Sequence, residues 1–431
     1  MARTSALGDL LSTVLERGAR LVDFSGETDS DGVARLCADL MSTRGEASGV
    51  ALAAEILARY RALQAEGRLA FFEHLAAAFN PDGAAVVAAA QAYAEDDSPK
   101  ALAELVALSE PPRQELFRRL NLAPGGTEGL VRMRADLLPL VRGHPELAAI
   151  DHDFRHLLGS WFNRGFLVMR RMDWATPASL LEKIIAYEAV HHIGDWDELR
   201  RRVEPADRRC FAFFHPSMPD EPLIFVEVAL TREVPGSIQA LLAADRDALA
   251  PDQAKVAVFY SISNCQPGLA GVSFGAFLIK QVAQDLSDEL PGLETFVTLS
   301  PVPGFTRWLR AEAEHDPERR AATALADLDA PGWLDRADDA KAEIMALAAQ
   351  YFLEAKRPDG QPPDPVARFH LGNGAELEAM HWMGDISEKG IAQAAGLMVN
   401  YRYRLDRIEA NHEAYVTGGE IKASRAVRGF V

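Results

Sequence analysis

Apolar residues in the first part of the chain recur at helical spacing. In "GVALAAEILARYRALQAEGRLAFFEHLAAAF" (Gly49–Phe79) they return every three or four positions, with Ala, Leu, Glu and Arg, all strong helix formers, between them. "PKALAELVALSE" and "PPRQELFRRLNL" continue the pattern, and Pro and Gly fall between the periodic runs, as breakers do. The alternation of a half-buried strand does not occur before about residue 160. Residues 1–160 are expected to form an all-helical domain.

The pattern changes near Trp161. "GFLVMRRMDW" (Gly165–Trp174) is the first strand candidate, and "PASLLEKIIAYEAV" after it reads as a helix with Thr176 at the N-cap and Pro177 at the first helical position. "RCFAFFHPSM", "EPLIFVEVALT", "AKVAVFYSIS" and "LETFVTLSPVPGF" (Leu293–Phe305) are rich in Val, Phe and Ile and read as further strands. Helical spacing returns from Trp308 to about Lys356, followed by a polar, proline-rich loop, "KRPDGQPPDP" (Lys356–Pro365). Residues 161–431 are therefore expected to form a mixed domain, which makes the whole chain α+β.

A length of 431 residues fits two domains, and 48% apolar with 25% charged residues is an ordinary globular composition. A net charge of −18 and a pI near 5.1 argue against non-specific nucleic-acid binding and against an anionic membrane surface. They leave room for a local basic pocket that takes an anionic small molecule. Cys37, Cys210 and Cys265 are far apart and lack C-x-x-C spacing, so neither a disulfide framework nor a zinc cage is expected, and a reducing compartment is the simplest reading. No apolar run is long enough to cross a bilayer. "MARTSALGDLLSTVLERGARLV" carries Asp9 and Glu16 and lacks the marks of a secretory signal, and "RAVRGFV" is not a peroxisomal address. A cytoplasmic location is expected.

"GVSFG" (Gly271–Gly275) fits G-x-S-x-G, the nucleophile elbow of α/β-hydrolases, and lies between a strand-like run and the helix-like "AFLIKQVAQDL". An elbow serine sits at the very end of its strand. Here "NCQPGLA" separates the strand-like run from Gly271, so Ser273 is well off the strand. What remains is a loop, "QPGLAGVSFG", that runs into a helix. Gly268, Gly271 and Gly275 let backbone N–H groups approach a ligand, and the helix start adds unpaired donors. That suits a pyrophosphate, and it equally suits a plain strand-to-helix connection, since short glycine patterns separate the two poorly. In "HDFRH", His152 and His156 share a helix face as zinc-protease ligands do. Asp153 replaces the glutamate and no third ligand suggests itself, so the segment reads as a solvated helix and no metal site is expected.

Several stretches of the second domain together resemble the malonyl-CoA decarboxylase family: "FFHPSMPDEPLIFVEVALT", "YSISNCQPGLAGVSFGAFLIKQV", "TLSPVPGFTRWL", "DPVARFHLGNGAEL", "GLMVNYRYRL" and "EAVHHIGDWDELRRRV". They cover nearly all of residues 161–431, in order, while the helical domain is similar in kind with weaker motifs. The resemblance implies a helical oligomerisation domain followed by a catalytic α/β domain of the GNAT, acetyltransferase-like, fold. In that fold a strand–loop–helix unit grips the CoA pyrophosphate, a role that here falls to Ala270, Gly271, Val272, Ser273, Phe274, Gly275 and Ala276. Ser300 in "TLSP" and His370 in "RFHLGNG" match the family's catalytic pair. A serine before proline also suits a turn, and a histidine between Phe369 and Leu371 also suits a core. Ser261 in "YSIS" and Tyr403 in "NYRY" match polar positions around the acyl group, and Asn373 and Asn400 are further candidate donors. The chain departs from the family at Ser273, which stands where a glutamate is common.

The activity so implied is the conversion of malonyl-CoA to acetyl-CoA and CO2. The thioester takes up the electron pair, so no metal, biotin or pyridoxal cofactor is expected. The protein must stabilise an enolate and deliver a proton to carbon 2, tasks suited to a hydroxyl and an imidazole. The expected partners are malonyl-CoA and further copies of the chain, in a dimer or tetramer, with no nucleic acid and no membrane. Competing readings are another GNAT-fold acyl-CoA transferase, a CoA-sensing scaffold and a thioesterase.

Overall fold

The structure, a computed structural model, describes residues 13, 16–20, 22, 28–43, 45–272, 278–315 and 320–431. The chain divides into two compact units. One holds residues up to Leu167 together with His215–Glu221 and Gln266–Ser273; the other holds Val168–Phe214, Pro222–Cys265 and Phe274–Val431.

The N-terminal part of the first unit is helical. Its helices run Ser30–Ser42, Glu46–Ala62, Ala65–Ala78, Gly83–Glu95, Pro99–Ser109, Pro112–Leu120, Gly126–Leu137 and Ala148–Trp161. Caps explain several starts. Asp82 accepts from Ala84 N at 2.9 Å, and Ser98 accepts from Ala101 N with Pro99 in the first turn. Ile56, Phe71, Phe72, Leu75, Phe117, Leu130 and Phe154 form its buried interior, with Phe117 stacked on Phe154 at 4.1 Å. The helices Gly83–Glu95 and Pro99–Ser109 bury almost nothing: Ala89 is the one buried residue of the first, and the second has none.

The second unit is built on an eight-stranded mixed sheet: β1 Val168–Met172, β2 Arg208–His215, β3 Met218–Thr231, β4 Val256–Asn264, β5 Thr295–Thr298, β6 Ser300–Pro301, β7 Glu376–His381 and β8 Met398–Arg402. The order is β1-β2-β3-β4-β5-β8-β6, with β7 also on β8. β4 and β5 are parallel, whereas β1/β2, β3/β4, β5/β8 and β7/β8 are antiparallel. β2 is buried along its whole length, which is why its middle, residues 210–214, reads as an unbroken apolar run rather than an alternating one. Leu181, Ile184, Leu199, Phe214 and Phe225 pack in one cluster; Ile238, Leu241, Val258, Tyr260, Val297 and Leu299 pack in another. A helical unit and a mixed-sheet unit give the α+β architecture expected.

Local departures from the sequence reading have physical causes. The helix after β1 starts at Ala178 with Pro177 at the cap, because the Thr176 hydroxyl is engaged by Asp173 N at 3.0 Å. The single strand expected in "LETFVTLSP" breaks at Leu299 into β5 and β6. That break accompanies a split in the sheet. β4 and β5 pair from Val256↔Thr295 to Phe259↔Thr298. Beyond it β4 follows β3 through a bulge, with Phe259 opposite Val228 and Ser261 opposite Glu227, so Tyr260 is the extra residue. β6 instead joins β8, with Ser300 opposite Val399.

Candidate active site

Ser300 is the first residue of β6, just past the split. His370 comes from the helix Pro365–Gly372, whose start is fixed by Asp364: its carboxylate accepts from Val366 N at 2.9 Å and Ala367 N at 2.8 Å. The turn after that helix needs glycine. Gly374 has φ +80°, and a Cβ there would lie 2.1 Å from the Ile408 carbonyl oxygen. This explains one glycine of "FHLGNG" by packing. Tyr401 lies on β8 and Tyr403 follows it directly, with Tyr403 N bonded to Phe296 O at 2.8 Å.

These side chains meet in a row. His370 Nε2 is 3.2 Å from Ser300 Oγ, and His370 Nδ1 is 2.8 Å from the Tyr403 hydroxyl. Ser300 Oγ donates to Thr298 Oγ1 at 2.8 Å, and Thr298 Oγ1 also accepts from Tyr401 N at 3.1 Å. The Tyr401 ring stacks on the imidazole, with centroids 4.7 Å apart. Ser300, His370, Tyr401 and Tyr403 are all buried. Burial disfavours a charged imidazole and lowers the His370 pKa to about 3, so the ring is neutral near pH 7. Burial likewise pushes the Tyr403 phenol well above its ordinary value, so it keeps its proton. The row thus holds an uncharged hydroxyl, imidazole and phenol away from water.

Of the residues singled out in the sequence, Ser300, His370 and Tyr403 are brought together. Ser261 is bound elsewhere: its Oγ donates to both carboxylate oxygens of Glu188, at 2.9 and 2.7 Å. Glu188 also accepts from Val190 N and His191 N, at 2.8 and 2.7 Å. Asn400 donates to Thr298 O at 2.7 Å and Pro235 O at 3.2 Å while its Oδ1 pairs with His381 Nε2, and Asn373 donates to Phe369 O at 2.7 Å, so both amide NH2 groups serve the backbone. Ala270, Gly271 and Val272 belong to the loop segment Gln266–Ser273 of the first unit, whereas Ser273, Phe274, Gly275 and Ala276 lie outside the described residues. Gly268 is a packing glycine, since a Cβ there would meet the Val131 carbonyl oxygen at 1.8 Å. Its own carbonyl accepts from Arg134 Nη1 at 2.6 Å. Gly271 has φ +73°, and a Cβ there would lie 3.5 Å from Arg155 Nε. In "HDFRH", Asp153 is buried and bound by Arg113 and by Gln114 Nε2, while His152 and His156 are exposed, so its carboxylate serves the helical packing.

Thr298, Tyr401 and Glu188 were not singled out by the sequence reading. A threonine in an apolar strand reads as a β-branched packing residue, and Glu188 is 73 positions from its Ser261 partner. The one available signal was the i, i+2 spacing of Thr298 with Ser300 and of Tyr401 with Tyr403, which puts each pair on one side of an extended strand.

A helical unit and a mixed-sheet unit that buries a hydroxyl–imidazole–phenol row define the chain as an α+β protein with a candidate acid–base site. Comparison with known proteins gives its family. The profile described as "Malonyl-CoA decarboxylase C-terminal domain" matches residues 165–431, and "Malonyl-CoA decarboxylase N-terminal domain" matches residues 79–162. The chain belongs to the malonyl-CoA decarboxylase family and is a carboxy-lyase. The mitochondrial malonyl-CoA decarboxylase of Anser anser anser is 38% identical over 353 residues, which span 74% of this chain and 69% of that protein. That of Rattus norvegicus is 37% identical over 352 residues, 74% of this chain and 71% of that protein. Among solved structures, malonyl-CoA decarboxylase from Rhodopseudomonas palustris is 55% identical with a TM-score of 0.89, over 93% of this chain and 99% of that one. The Agrobacterium vitis enzyme is 54% identical with a TM-score of 0.87, over 92% and 99% of the two chains. No helix among the described residues is long and apolar enough to cross a membrane.

Proposed function

We propose that the chain decarboxylates malonyl-CoA through His370 and Ser300. The observation that carries this reading is the buried hydrogen bond between His370 Nε2 and Ser300 Oγ, continued from Nδ1 to Tyr403. When the bond between carbon 2 and the carboxylate breaks, CO2 leaves and its electron pair passes into the thioester as an enolate. Carbon 2 then takes one proton from the His370–Ser300 pair. An enolate carbon is a stronger base than an alkoxide or an imidazolate, so neutral O–H and N–H donors suffice, in keeping with the neutral His370. The charge left on the pair is shared toward the Tyr403 hydroxyl at Nδ1, and solvent returns the proton after acetyl-CoA leaves. The thioester is the electron acceptor throughout, so the scheme uses no metal and no further cofactor.

Backbone donors of the loop Ala270–Ala276 bind the CoA pyrophosphate in this reading, supported by the left-handed Gly271 and by the Arg155 guanidinium beside it. The helical unit mediates self-association into a dimer or tetramer. Its support is the apolar surface on the helices Gly83–Glu95 and Pro99–Ser109, where Val87, Leu102 and Val106 are exposed. The three buried free thiols support a reducing, cytoplasmic location.

Incubation with malonyl-CoA tests the function. Acetyl-CoA and CO2 are the products expected. Free CoA with malonate would favour a thioesterase, and turnover only with an added amine would favour a transferase.

A further inference from the structure

The hydrogen bonds of the row have a direction, and Thr298 sets it. Tyr401 N–H is a backbone donor and cannot reverse its polarity; it donates to Thr298 Oγ1 at 3.1 Å. Ser300 Oγ–H donates to the same oxygen at 2.8 Å. With its hydrogen on Thr298, Ser300 meets His370 Nε2, 3.2 Å away, with a lone pair. A lone pair there requires an N–H at Nε2. The contact at the other end of the ring is compatible with this. The Tyr403 hydroxyl, 2.8 Å from Nδ1, is placed to donate to the unprotonated nitrogen of that same tautomer. The sequence of donors that fits all three contacts is Tyr403 O–H to Nδ1, Nε2–H to Ser300 Oγ, and Ser300 O–H to Thr298.

This polarity is opposite to that of a serine hydrolase, in which the serine donates to the imidazole and becomes a nucleophile. Here the imidazole donates to the serine. We propose that Thr298 is a positioning residue that holds Ser300 and His370 as a proton-donating pair, by taking the Ser300 hydrogen in the resting enzyme and releasing it when substrate arrives. The proposal rests on the reading of His370 and Ser300 as the pair that protonates carbon 2. Turning the Ser300 hydrogen from Thr298 to carbon 2 needs only rotation about one side-chain bond. As that O–H breaks and a C–H forms, the Nε2 proton can move to Ser300 Oγ and the Tyr403 proton to Nδ1. Without an acceptor at position 298, the Ser300 hydrogen turns to Nε2 instead, and the pair points away from the substrate.

The test uses the full chain labelled with 15N-histidine, with the His370 signal assigned by its loss in His370→Asn. In the wild type, Nε2 should carry the proton and Nδ1 should not. Thr298→Val keeps the shape of the side chain and removes its oxygen. It should shift His370 toward the other tautomer and lower kcat roughly 10- to 100-fold, with KM little changed, the scale of a misaligned reacting group. Thr298→Ser restores the oxygen and should recover both the tautomer and most of kcat, which a merely structural loss would not do selectively. A wild-type His370 protonated at Nδ1 would overturn the proposal, and so would a folded Thr298→Val with wild-type kcat. The underlying reading fails separately: in that case folded His370→Asn itself retains activity. If only the inference fails, His370→Asn is inactive while Thr298→Val is not.

Discussion

Lowering the pH should destabilise this protein through His370 by an amount that follows from its burial. The ordinary imidazole pKa of 6.5 falls to about 3 in the folded chain. Above about pH 6.5 the ring is neutral in both the folded and the unfolded chain, so unfolding moves no proton at this residue. Between about 6.5 and 3 the unfolded chain binds a proton that the folded chain does not, so stability falls by about 1.4 kcal/mol per pH unit. The loss is about 2 kcal/mol at pH 5 and on the order of 5 kcal/mol by pH 3, below which both states carry the proton and the slope vanishes. His370→Asn removes this titration and leaves the other histidines in place. The measurement is urea unfolding of wild type and variant at pH 7.5 and pH 5, following the transition of the sheet unit, because two units need not unfold together. The informative quantity is the difference between the two pH-induced changes, in which His191, also lowered by burial to about 4, cancels. Wild type should lose about 2 kcal/mol more than the variant. Parallel losses would refute the inference that the buried ring is neutral, and with it the tautomer argument built on that neutrality.

Other outcomes follow from the same geometry. Ser300→Ala and His370→Asn should each lower kcat by about 10²–10⁴, and the double variant should lose far less than the product if the two act as a unit; near-normal kcat in either folded single variant would end the assignment. Ser273→Ala should keep most of the activity, because a pyrophosphate loop works through backbone donors, whereas Gly271→Val should weaken CoA binding, because position 271 has φ +73°; loss of turnover in folded Ser273→Ala, or an acyl adduct on that serine, would revive the hydrolase reading. Light scattering should report a particle heavier than the 47.1 kDa chain, and a uniform monomer at micromolar concentration would remove the case for self-association.

The legible parts of the fold were those whose local pattern is strong. β2, β3 and β4 are eight to fourteen residues long and densely apolar, so they announce themselves. β7 and β8 are six and five residues long, and "ELEAMH" mixes charged and apolar positions with no clean alternation, so their strand character comes from pairing with each other. The break at Leu299 was invisible because "TFVTLSP" keeps one texture across it; what divides it is that β6 finds β8 while β5 stays on β4. Ser300 and His370 were legible through family motifs alone, since neither residue type in its immediate context distinguishes catalysis from a turn or a core. The Ser261–Glu188 bond depends on chain segments meeting in space, which no periodicity encodes, whereas the Thr298–Ser300 contact joins residues two apart.

The split in the sheet links these facts to the chemistry. A row of polar groups tolerates burial only if its donors and acceptors are paired, because an unpaired buried polar atom costs about 1–3 kcal/mol. Thr298 sits on the last paired residue of β5, so its backbone is held by β4 while its side chain is free to serve Ser300. Ser300 sits on the first residue that has left β4, and Pro301 after it has no N–H to offer a ladder. The parting of the strands therefore does two things with residues two apart: it anchors the acceptor and releases the donor. His370 is brought against the pair by a helix whose start is fixed by Asp364, and Tyr403 meets the far nitrogen from the chain just past β8. Among the described polar atoms around this row, the Tyr401 hydroxyl lacks a partner although its ring covers the imidazole face. Its stacking is thus explained by packing and its hydroxyl is not, which marks Tyr401→Phe as the substitution that separates the two contributions of that residue.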